Sequence, residues 1–170
     1  MVEREHWEEW RRFGAVAMEL LLEPRLATGF RSIARVTRAP ASSGCTVFDL
    51  LVGESTARLE VAEWDQPADA RKFRNPIERL RHGHMVEPTI ARSTVDVEIE
   101  RGRALEARLQ NLSLPLAPKD PHYGMDGWMI GVEIQGHTSS SKFSWWVDPP
   151  DEWQELGQIA NEIMHMASAP

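Results

Sequence analysis

Two rhythms of apolar and charged positions run along this chain, and each selects an element. Over residues 3–22, Trp7, Trp10, Gly14, Ala17 or Met18 and Leu21 stand three and four apart. That spacing lays one apolar stripe along an amphipathic helix, with Glu and Arg on the other side. Pro24 should end the helix, because proline lacks an amide donor and disfavours helix at the residue before it. FRSIARVTRA then alternates Phe30, Ile33 and Val36 imperfectly with charge, and is expected as an edge strand. After the turn cluster APASSG (39–44), CTVFDLLVG and TARLEVAEW read as two strands of a hairpin joined around Gly53-Glu54-Ser55.

The stretch from 65 to 92 is less regular. Asp69 is placed to cap a short helix through ADARKF, and Pro76 suits the first turn of another, PIERLRH, closed by Gly83. In STVDVEIE, Val95, Val97 and Ile99 alternate strictly with Asp96, Glu98 and Glu100, the mark of a half-buried antiparallel strand. ALEARLQNLSL is expected as its hairpin partner across Arg101-Gly102-Arg103. PLAPKDPHYGMDG follows as a long loop rich in proline and glycine.

Residues 126–156, DGWMIGVEIQGHTSSSKFSWWVDPPDEWQEL, hold four of the seven tryptophans. Trp128, Ile130, Val132 and Ile134 share one parity, and so do Phe143, Trp145 and Val147 in the next strand; the pleat sends each set to one face. Trp153 opens a terminal helix whose stripe continues as Leu156, Ile159, Ala160 and Ile163. Trp128, Trp145 and Trp153 are therefore expected in the core. Trp146 is out of phase. Pairing Gln135 with Lys142 would set Trp146 opposite Gly131, where an indole can cover a glycine gap. The other reading is an exposed anchor for a partner, since tryptophan is enriched at binding hot spots.

The residues Asp126, Gly127, Trp145, Trp146, Pro149, Pro150, Trp153 and Leu156 also form a pattern. A strand entered by Asp-Gly, an aromatic strand ending Trp-Trp, then Pro-Pro-x-x-Trp-x-x-Leu into a last helix resembles the C-terminal pattern of uncharacterised bacterial proteins. The likeness covers about the last quarter of the chain. It implies a fold element and a bacterial origin, and no activity.

Composition narrows the classes. A chain of 170 residues fits one domain, 1–170, and can bury roughly 70% of its unfolded surface without disulfide or metal. The single cysteine, Cys45, excludes an intramolecular disulfide framework and suits a reducing cytoplasm. No apolar run approaches a membrane span. Net charge is −7, and residues 109–170 supply most of it, with Lys119 and Lys142 against eight acids. Such a field disfavours phosphate backbones; it reads first as a solvated face that aids solubility, and alternatively as a surface that attracts a basic protein. The one local basic patch runs from Arg71 to Arg81.

Candidate chemistry is sparse. His82-Gly83-His84 has metal-like spacing, since residues two apart on a strand share a face; a helix C-cap at Gly83 would instead turn the imidazoles apart. The loop KDPHYGMDG gathers Asp120, His122, Tyr123 and Asp126, residue types capable of acid–base work that also fill loops for turn geometry alone. Cys45 adjoins an apolar strand and reads as an inert buried thiol. No GxSxG, Walker loop, GxGxxG or HExxH is present.

The expected fold is α+β: a single antiparallel sheet of five or six strands, with N- and C-terminal helices packed on its apolar face. The leading functional expectation is a non-catalytic cytoplasmic module of inhibitor or immunity type. It would bind a basic protein through Trp146, Asp151, Glu152 and Glu155, with no cofactor, no nucleic acid and no membrane, and with self-association open to it. The alternative is a small hydrolase-like enzyme built on Asp120, His122 and Asp126, with His82 or His84.

Overall fold

The computed structural model describes residues 2–23, 28–40, 43–75, 77, 87–119, 127–136 and 138–168, with side chains from Trp7 onward. The fold is α+β. Helix α1 (Val2–Leu22) precedes strands β1 (Arg31–Pro40), β2 (Thr46–Val52) and β3 (Ala57–Trp64). Helix α2 (Gln66–Arg74), strand β4 (Ile90–Val97) and helix α3 (Ile99–Gln110) follow, then β5 (Trp128–Gln135), β6 (Ser140–Trp146), a 3-10 turn (Asp151–Trp153) and helix α4 (Gln154–Met166). The strands form one antiparallel sheet in the order β4-β3-β2-β1-β5-β6. Among the described residues no helix is long and apolar enough to cross a membrane.

Both terminal helices pack on apolar sheet surface, but the sheet has two such surfaces. On one, Leu156, Ile159, Ala160 and Ile163 of α4 and Leu105 and Leu109 of α3 meet Val36, Phe48, Leu50, Leu59, Ile130 and Val132. On the other, Phe13, Ala17 and Leu21 of α1 meet Cys45, Val47, Ala62 and Trp64. Each fully buried Leu or Ile contributes roughly 1.5–3 kcal/mol, so packing rather than helix propensity holds these helices. The stripe of α1 differs from expectation at one end: Trp7 is 58% exposed, and Phe13 takes its place in the core.

Strand β1 lies between β2 and β5, not at an edge. Its irregular alternation has a cause in the register, which slips between Ser32 and Ala34. Ser32 and Arg35 are buried polar exceptions, one neutral and one charged, and both are satisfied by Asp49 of β2. Arg35 also donates to the Leu22 carbonyl, and Arg92 to that of Leu20. Helix α1 has no basic residue in its last turn, so cations of the sheet serve its C-terminal carbonyls.

Residues 104–110 of the strand expected from 104 to 114 are instead the body of α3, and no strand follows at 111–114. Leu105 and Leu109 are four apart and both buried, a helical spacing, and the Arg-Gly-Arg turn signal misled because Gly102 serves packing. A Cβ at Gly102 would stand 2.8 Å from Cβ of Ala57 and 3.3 Å from Val52. The missing side chain lets α3 approach the β2–β3 hairpin. The cap of α2 is also one turn earlier than expected: Asp65 accepts from the Ala68 amide at 2.9 Å. Asp69 is inside the protein.

Candidate functional site

The tryptophan segment forms the hairpin β5–β6, and its register departs from expectation by two residues. Gln135 pairs with Ser140, Gly131 with Ser144 and Met129 with Trp146. The polar HTSSS run gives no pleat signal, so the strand continues further into it than its composition suggests; Gly136 donates to the Ser139 carbonyl at 2.8 Å and closes the turn. A shift of two keeps every parity, so the faces were legible although the pairs were not.

Strand parity placed Trp145 correctly, and the helical stripe placed Trp153. Both are buried, Trp153 packs edge-on against Phe143 and Trp145 with ring centroids 5.3 and 6.4 Å apart, and its Nε1 donates to the Pro115 carbonyl at 3.1 Å. Trp128 is not core. It is 37% exposed at the first position of β5, paired with Pro40, the last residue of β1. The Arg38 guanidinium lies over its ring at 5.1 Å, a cation–π contact that fixes the indole in place. Met129, next along, is 47% exposed on the opposite face.

Trp146 is half-buried beside Met129. Its indole does lie over a glycine, but over Gly127 rather than Gly131: a Cβ at Gly127 would stand 3.3 Å from Trp146 Nε1 and 2.5 Å from Val147. Gly127 has φ +137 and Val147 φ 59. A left-handed conformation at a β-branched residue is strained by about 1–3 kcal/mol, and such strain gathers at functional sites. Val147 holds the position by donating to the Trp128 carbonyl at 2.9 Å.

The chain then carries acids. Asp148, Asp151 and Glu155 are exposed and Glu152 half-buried, and none of them has an ion pair among the described residues. Pro149 packs on Gly157, and Gln154 donates to the Pro149 carbonyl at 2.9 Å, so the acidic turn is fixed against α4. Glu162 does not belong to this group, since Arg101 and Arg108 of α3 reach it at 3.4 and 2.9 Å. Neutralisation across helices escapes a reading along the sequence.

His82, His84, Asp120, His122, Tyr123 and Asp126 lie outside the described residues. Among the described residues no three His, Cys, Asp or Glu side chains gather to hold a metal ion. Cys45 is buried, and burial pushes its thiol up to about 11, so the thiolate is scarce at neutral pH. A cleft of about 190 Å³ opens between α3 and the β5–β6 turn, lined by Arg31, Ile33, Glu106, Leu109, Ile134 and Ser140 among others. Its carboxylate, Glu106, is engaged by Arg31 and Gln110, and among the described residues no histidine or cysteine lines it. The buried Ser32–Asp49–Arg35 group is likewise closed upon itself, with Ser32 donating to Asp49 and Arg35 bound through two nitrogens. The sequence matches no protein-family model and no curated protein.

Proposed function

We propose that this protein is a non-catalytic cytosolic binding module that presents the Trp128–Met129–Trp146 end of β5–β6, flanked by Asp148, Asp151, Glu152 and Glu155, to a basic protein partner. The observation that carries this reading is the exposure of Trp128 and Met129 at successive positions of an ordered strand. Successive residues face opposite sides of a sheet, so the apolar surface wraps around the sheet's end. Tryptophan anchors and adaptable methionine are typical of contact centres. The surrounding carboxylates add charge that steers a cationic partner. Arg38 is held over Trp128 and sets the ring's orientation before any partner arrives. An inhibitor or immunity role suits a small acidic module of this kind.

A photo-crosslinking residue at Met129, introduced in the producing cell, tests the reading against the same residue at Ala104, an exposed position on α3. A basic protein captured at 129 and not at 104 is expected. Its association with the purified chain should slow as salt rises, and slow again in the Glu152→Gln, Glu155→Gln double variant. Identical adducts at both positions, or an association rate blind to salt and to both substitutions, would refute it.

A further inference from the structure

We infer that β6 is a dimerisation edge, along which two copies of this chain pair β6 against β6 in antiparallel fashion with Phe143 at the two-fold axis. Strand β6 ends the sheet. Its hydrogen-bonding phase is fixed by two contacts: Val147 donates to the Trp128 carbonyl, and Gly136 to that of Ser139. Pairs alternate between bonded and non-bonded along an antiparallel ladder. Residues 139, 141, 143, 145 and 147 therefore bond inward to β5, while Ser140, Lys142 and Ser144 turn their backbone groups to the outer edge.

Sheet edges are commonly guarded by proline, a bulge, an exposed lysine or an inward-pointing charge. Residues 140–146 have no proline, and their register with β5 is unbroken. The one charge, Lys142, has its ammonium 3.1 Å from Glu133 of the neighbouring strand. The opposite edge is different, for β4 carries Arg92 and Asp96, and Arg92 points inward to the Leu20 carbonyl.

Pairing about Phe143 is self-complementary. Lys142 falls opposite Ser144 of the second copy, so the like charges that destabilise a cross-strand pair never meet. Trp145 falls opposite Ser141 and Trp146 opposite Ser140, large against small on each face. The two central bonded pairs, Lys142 with Ser144 and the reverse, supply about four backbone hydrogen bonds. Charge also fits this register. The two copies of Asp148 end about 34 Å apart, ten residues along the ribbon, which is several screening lengths at physiological salt. The inference rests on other observations than the partner-binding reading, with which it shares Trp146, and the dimer would leave both acidic ends open.

Sedimentation equilibrium of the full chain, from micromolar to submillimolar concentration, tests it, with circular dichroism to verify folding. The parent should reach twice its 19.3 kDa mass. Ser144→Lys sets a lysine opposite Lys142 and should give a monomer; adding Lys142→Glu makes the pair complementary and should restore the dimer. Ser144→Pro removes an outward amide while sparing the β5 ladder, and should also give a monomer. A parent that stays monomeric throughout, a Ser144→Lys protein that still dimerises, or a charge-swapped variant that fails to recover would each overturn the inference.

Discussion

The indole Nε1 of Trp64 donates to the carboxylate of Asp69 at 2.9 Å, and that carboxylate is fully buried. The same group accepts from the Thr89 amide at 2.8 Å, the Thr89 hydroxyl at 2.6 Å and Lys72 Nζ at 3.1 Å. One side chain thus joins the end of β3, helix α2 and the approach to β4. Trp64 in turn stacks among Trp10 and Phe13, with Phe73 of α2 beside them. A negative charge in this setting persists only because four donors surround it.

Asp69→Ala should therefore destabilise the fold by about 3 kcal/mol or more, since it strands buried donors and a lysine. A urea titration at neutral pH measures it. A loss below about 1 kcal/mol, the level of a surface cap, would show that Asp69 is not the joint described.

Acid should act through the same residue. Burial would raise the Asp69 carboxyl, but hydrogen bonds from the Thr89 hydroxyl and amide, Trp64 and Lys72 outweigh it and hold the group below the ordinary carboxylate value. Folding then favours the ionised form, so its contribution is complete above the unfolded value near ~3.9 and is lost as pH falls through the folded one. Asp69→Asn should lose less stability than the parent between about pH 4 and pH 2. Parallel urea midpoints across that range would decide it, and equal losses would contradict it.

Helix α3 gives a prediction against local propensity. Alanine is favoured over glycine within a helix by roughly 1 kcal/mol. At Gly102, however, the added methyl would meet Cβ of Ala57 at 2.8 Å, an atom with no rotamer to yield. Gly102→Ala should thus destabilise by about 1–3 kcal/mol through overpacking. A raised urea midpoint would mean that α3 can move away from the hairpin.

Gly102 also shows what the sequence could and could not disclose. An antiparallel sheet of five or six strands was legible from strands whose alternation is plain, such as TARLEVAEW. An Arg-Gly-Arg tripeptide, by contrast, reads as a turn unless one knows that Ala57 and Val52 lie against it. The parity of Trp145 and the stripe of α4 were legible because both have one buried face. Trp128 shared that parity and still lies outside, because a strand's end can run past the helices that cover its middle. The half-buried Trp146 and the acids after it were visible as residue types. Their separation from Glu162 depends on Arg101 and Arg108, which are more than fifty residues away in the chain.

The tryptophans of the C-terminal segment differ in burial and should differ in what their removal costs. Trp153 is buried, touches Phe143 and Trp145, and bonds the Pro115 carbonyl. Its removal opens a cavity where α4, β6 and the segment after α3 converge, and truncation of a core aromatic costs about 3–5 kcal/mol. Trp145→Ala should fall in the same range. Trp128 already exposes 37% of its surface, and it makes a cation–π pair with Arg38, worth about 0.5–1 kcal/mol at an exposed site. Trp128→Ala should then cost about 2–3 kcal/mol, counting the surface it does bury. Urea midpoints of the three variants should rank Trp128→Ala above the other two. Should Trp128→Ala prove as damaging as Trp153→Ala, the indole would be a core group after all, and the exposed anchor proposed for a partner would lose its main support.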